Sequence, residues 1–171
     1  MFPTDTLYGI GCRPDDGAAI ERVYALKGRA REKPSALMYF SLDAALEANP
    51  GLGPATRAAV ERLLPGPVVV VLPGGYGIRV PALDVPPAGA QVTVLQTSAN
   101  VSGGPDPRRL EDVPESIRDG ADLVLDGGEL PGTPSTVVDL SSYETGEWAV
   151  LREGAVPTGR LAQVLDSTSA L

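Results

Sequence analysis

Residues 65–75 read PGPVVVVLPGG, four valines and a leucine in unbroken succession, fenced on both sides by proline and glycine. An apolar run this short, bounded by breakers, is the pattern of a strand buried on both faces. Such a strand needs a sheet with material packed on either side of it. The flanking segments supply candidates. Asp15 or Asp16 can cap a helix whose apolar stripe is Ile20, Val23 and Tyr24, and Gly28 is placed to end it. Ser41 caps a short helix that stops before Pro50, and "PATRAAVERLL" opens a third helix with proline in its first turn.

The remaining elements alternate irregularly. "MFPTDTLYGIG" reads as a short strand entering a glycine-containing turn, and "SALMYF" as a strand. "GGY" suits a hairpin connection to "YGIRV". "QVTVLQTSAN", "ADLVLDGG", "STVVDLS" and "WAVLREG" read as strands. "RRLEDVPESIRDG" is helical with a break at Pro114, and "TGRLAQVLD" makes a terminal helix. The expected architecture is a three-layer α/β fold, a twisted mixed β-sheet with helices on both faces. With no repeat or linker, the 171 residues are expected to form one domain.

Composition narrows the chemistry. The chain has no histidine and one cysteine, Cys12. Ser-His-Asp and Cys-His catalysis are excluded, and a cysteine-rich zinc cluster with them. No stretch approaches the apolar length of a membrane span, and the N-terminus shows neither a basic nor an apolar leader region. A cytoplasmic location is expected.

The net charge is −8, yet Lys27, Arg29, Arg31 and Lys33 fall within seven positions that hold one acid, Glu32. Two readings stand. Lys27 complements the negative end of the first helix and the rest is a solvated loop; or the cluster clamps a polyphosphate through charge-assisted hydrogen bonds. Neither G-x-x-x-x-G-K-[ST] nor a complete dinucleotide fingerprint occurs, so a nucleotide site would be of another kind. "QTSANVSGG" and "GTPSTVVDL" place hydroxyls at strand ends, where they either satisfy turns or hold a small polar ligand. Arg79 and Arg152 are lone cations in apolar strands, each either ion-paired or facing an anion.

Taken together, "FPTDTLYGIG", "LKGRAREKP", "LPGPVVVVLP", "IRVPA", "TSANVSG", "LVLDGGELPGTPSTVVDL" and "VLREGAV" resemble, in order, the YrdC/TsaC family of L-threonylcarbamoyladenylate synthases. The resemblance runs from Phe2 to about Val156. It implies a YrdC-like fold and a reaction in which L-threonine, bicarbonate or carbon dioxide, and ATP give threonylcarbamoyl-adenylate and pyrophosphate, with magnesium assisting. A downstream tRNA threonylcarbamoyl transferase complex would take the product. By similarity, Lys27 and Arg29 are the catalytic cations. Lys27, Arg29, Lys33, Asn100, Arg108 and Arg152 would bind ATP, while Thr6, Arg79, Ser98 and Ser135 would hold threonine.

Tyr8 lies beside that pocket in the motif or is a core aromatic. No metal-ligating residues are implied. The chain departs from the family in several ways. Relatives carry a further helix and most of a strand ahead of "FPTDT", so the N-terminal part of the family domain is expected to be missing. The segment from Leu72 to Tyr76 is shorter, and Met38 stands where a histidine is common. Competing readings are a catalytically silent nucleotide- or RNA-binding relative, weak RNA binding being a family trait, and a carbamoyl-transferring module.

Overall fold

The structure is a computed structural model describing residues 1–30, 35–83 and 92–166. Arg31 and Lys33, two cations of the basic window, lie outside the described residues. Among the described residues, eight strands form one mixed sheet in an α/β fold: β1 (Phe2–Pro3), β2 (Tyr8–Cys12), β3 (Ala36–Met38), β4 (Val68–Val71), β5 (Gly77–Arg79), β6 (Val94–Ser98), β7 (Thr136–Asp139) and β8 (Ala149–Arg152). Their spatial order is β1-β2-β6-β3-β5-β4-β7-β8. The pairs β3–β5 and β4–β7 are parallel, and the others are antiparallel.

The helices are α1 (Gly17–Lys27), α2 (Leu42–Glu47), α3 (Pro54–Leu63), α4 (Glu115–Asp119) and α5 (Thr158–Leu165). Asp16 caps α1 by accepting the Ala19 N–H at 3.0 Å, Gly28 closes it, and Ser41 caps α2. Helices α2, α3 and α5 bury one core against Val68, Val70, Ile78 and Val138. A second cluster joins α1 and α4 to β2 through Tyr8, Ile10, Val23 and Ile117.

The valine run forms β4, an interior strand of the sheet. Val68 and Val70 are fully buried, whereas Val69 and Val71 are half-buried because they form part of a cavity wall. The β4–β5 connection is the expected hairpin, closed by the Leu72 N–H to the Tyr76 carbonyl at 3.0 Å.

Two expectations are corrected. The glycines of "YGIG" are not in a turn; the turn is Thr4–Leu7, and Gly9 and Gly11 lie within β2. They pair with β6, whose Gln96 side chain would sit 2.8 Å from a Cβ at position 9 and whose Val94 side chain would sit 2.6 Å from one at 11. "ADLVLDGG" is not a strand. It runs beside Met1 with two hydrogen bonds, from the terminal amine to the Leu123 carbonyl at 2.6 Å and from the Leu125 N–H to the Met1 carbonyl at 3.0 Å. One residue alongside cannot build a ladder, so Leu123 and Leu125 stay exposed.

Tyr8 is a core residue with no exposed surface. Its hydroxyl proton is shared between Asp126 Oδ1 at 2.8 Å and the Gly128 carbonyl at 2.9 Å, and its oxygen accepts the Gly127 N–H at 2.9 Å. Burial raises its phenol pKa above the ordinary tyrosine value. Tyr8→Phe should therefore cost about 1–3 kcal/mol, because it strands these partners. Thermal denaturation should show a drop of several degrees with ligand binding unchanged; an unshifted midpoint would overturn this reading of Tyr8.

Candidate active site

The pairing register selects which side chains share a face. Ser98 pairs with Gly9, Gln96 with Ala36, Ala36 with Gly77, Gly77 with Val71, Val69 with Val137, and Val137 with Arg152. Directly paired residues point the same way, so these side chains line one side of the sheet, and Arg79, two residues beyond Gly77, joins them. That side floors a cavity of about 250 Å³. Thr6, Arg29, Arg79, Ser98, Ser135 and Arg152, all singled out in the sequence, reach it from six separate parts of the chain.

Arg79 is the most constrained of them, at 4% exposure. Its Nη2 donates to Thr6 Oγ1 at 2.7 Å and Thr4 Oγ1 at 3.2 Å, and pairs with Asp5 Oδ1. The other Asp5 oxygen accepts the Ala82 N–H at 2.9 Å. Burial pulls the guanidinium pKa down, and Asp5 opposes that shift by stabilising the charge. The two readings of Arg79 thus meet: it is ion-paired along one edge, while its Nε has no partner among the described residues. Ser135 Oγ, at 3% residue exposure, is likewise buried and unpartnered. Buried polar atoms are normally satisfied, so two unpartnered atoms in residues that line one cavity mark it as a place for a ligand.

Two further cations border the cavity. Arg152 donates from Nη2 to the Ser135 carbonyl at 2.8 Å, bracing the same loop, and is otherwise exposed. Arg29 lines the cavity just past the end of α1. Lys27 does not line it. The residue is 1% exposed, and its amine bonds the carbonyls of Ser98 and Asn100, the latter at 2.6 Å, and Asn100 Oδ1 at 3.0 Å.

Asn100 is buried in the same knot. Its Oδ1 accepts the Ser98 hydroxyl at 2.7 Å and its Nδ2 donates to the Gly104 carbonyl at 2.8 Å. Arg108 does not line the cavity and is ion-paired with Glu129 at 2.5 Å. The structure therefore brings six of the predicted positions to the cavity, ties Lys27 and Asn100 to one of them, Ser98, and leaves Arg108 off the lining.

Sequence reasoning missed Asp5 and Gln96. The acid inside "PTDT" was a usable signal for Asp5, since a buried arginine needs a counter-charge. Gln96 carried none. Among the described residues, no three of His, Cys, Asp and Glu are grouped to hold a metal ion, and no helix is long and apolar enough to cross a membrane. Arginines beside directional donors suit an anionic ligand that also carries a carboxylate.

Comparison with known proteins agrees with this chemistry. The Sua5/YciO/YrdC family, described as "Telomere recombination", matches residues 1–154. The threonylcarbamoyl-AMP synthase of Pyrococcus abyssi is 29% identical over 96% of the chain, which spans 52% of that relative. The synthase of Chromohalobacter salexigens is 32% identical, covering 84% of this chain and 86% of its own length. Among solved structures, Pyrococcus abyssi Sua5 complexed with L-threonine superposes with a TM-score of 0.80 at 28% identity, over 96% of this chain and 52% of that one. The chain thus spans about half the length of the Pyrococcus relative it matches.

Proposed function

The chain belongs to the Sua5/YciO/YrdC family, and from that premise we propose that it forms L-threonylcarbamoyl-AMP and pyrophosphate from L-threonine, bicarbonate or carbon dioxide, and ATP. The observation that carries this reading is the pair of orphan donors, Arg79 Nε and Ser135 Oγ, on a cavity otherwise bordered by Arg29 and Arg152. An amino-acid carboxylate would satisfy both donors. The threonine amine adds to carbon dioxide and loses a proton, giving a carbamate. A carbamate oxygen then attacks the α-phosphorus, and pyrophosphate departs.

Such nucleotidyl transfer requires positioning and neutralisation of charge on the leaving group. Arg29 and Arg152 supply positive charge, each contact being worth about 1.5–3 kcal/mol. No protein nucleophile or histidine is needed. Among the described residues, no side chains form an all-protein metal cage. Magnesium, which retains waters and favours substrate phosphates, would arrive on the nucleotide and add charge neutralisation there. The product would pass to an enzyme that transfers the threonylcarbamoyl group to tRNA.

Incubation with all three substrates and magnesium should release pyrophosphate, and omission of threonine should abolish release. Pyrophosphate without threonine, or ATP binding with no release at all, would instead favour a different acceptor or the silent nucleotide-binding reading.

A further inference from the structure

We infer that Lys27 is a positioning residue, holding the 98–104 turn through its oxygens and leaving no hydrogen bond for a phosphate. The assignment rests on the synthase reading for the identity of the ligands. It departs from what the sequence alone suggests for a lysine in that window. An ammonium group has three donors, and here all three are engaged, by the Ser98 carbonyl, the Asn100 carbonyl and Asn100 Oδ1. The backbone of the same residue repeats the tie, since the Lys27 carbonyl accepts the Ser102 N–H at 2.8 Å. The last residue of α1 is therefore fastened to the turn at both its main chain and its side chain.

What this fixes is Ser98. Its hydroxyl donates to Asn100 Oδ1, the oxygen that Lys27 also grips, and Ser98 lines the cavity. The far side of Asn100 is closed by its bond to the Gly104 carbonyl. Removing the amine would leave two carbonyls unpaired and free Asn100 Oδ1 to turn, so the serine hydroxyl would lose its fixed direction. Burial and the neighbouring Arg29 draw the Lys27 pKa down to about 8, with Asp106 opposing them, so the ammonium is largely retained at neutral pH.

Two measurements test the assignment. The first is acetylation of the wild-type protein with acetic anhydride, read by peptide mass spectrometry with and without magnesium-ATP. Lys27 should label slowly in both samples and fast only after denaturation. Rapid labelling of the free protein that ATP suppresses would overturn the proposal, and this arm holds whatever reaction the protein performs. The second is calorimetric binding by Lys27→Met.

The variant should bind threonine about tenfold more weakly while its ATP Kd stays within about threefold of the wild type. An ATP Kd raised about tenfold with threonine binding intact would restore Lys27 to the phosphates. A lowered Tm with both affinities unchanged would reduce its role to stability alone and equally overturn the proposal. Failure of the synthase reading would show separately, as wild-type protein that binds no threonine.

Discussion

Arg79→Met is expected to lose about 3–5 kcal/mol of stability, the usual cost of removing one partner from a buried ion pair. The side chains of Arg79 and Asp5 are 5% and 8% exposed, so the carboxylate left behind has little water to turn to. Thr4 and Thr6 lose their donor as well. Threonine affinity should fall in the same variant by roughly ten- to a hundredfold, because the Nε donor disappears with the guanidinium. The double variant Asp5→Asn with Arg79→Met separates the two losses. It removes the stranded charge, so most of the stability should return while threonine binding stays weak. Chemical denaturation and calorimetry read the two effects independently. If binding recovered together with stability, Arg79 would be a structural cation only.

The architecture was legible wherever local chemistry and tertiary context agree. Asp16, Gly28, Ser41 and Pro54 punctuate the helices where they stand in the sequence, because capping depends on neighbours within a few residues. The stretch from Ala121 to Gly128 failed the same treatment. Its composition suits a strand, but a strand is defined by its partners, and Met1 alone offers too few. The site divides along the same line. Residue types in the basic window and the two hydroxyl loops were visible, and Arg29, Ser98, Ser135 and Arg152 do converge.

Which atoms remain available was not visible. That Lys27 spends its three protons on carbonyls, or that Arg108 leaves for Glu129, depends on where distant loops come to rest. A motif records which side chains are present; the hydrogen-bond inventory decides which of them still have something to give a ligand.

Ser135 and Gly154 should show opposite responses to the smallest of changes. Ser135→Ala deletes a hydroxyl that has no partner among the described residues, so stability should hold or rise slightly, since no folded-state bond is broken. Threonine binding should weaken about three- to tenfold, the value of one hydrogen bond. Gly154→Ala adds a single carbon where no room exists. A Cβ there would lie 2.2 Å from the Pro134 carbonyl oxygen and 2.7 Å from the Ser135 carbonyl carbon.

Those are main-chain atoms, so a rotamer change cannot relieve the clash. The 134–135 segment must move, and with it the Gly154 N–H bond to Thr136 Oγ1 at 3.0 Å. Overpacking of this kind costs about 1–3 kcal/mol, and here it also shifts Ser135 Oγ and the carbonyl that braces Arg152. Gly154→Ala should therefore bind both threonine and ATP less well than Ser135→Ala, and melt lower. Should Gly154→Ala bind threonine like the wild type, the Ser135 loop is not a rigid wall of the cavity, and the case for its hydroxyl as a fixed donor falls with it.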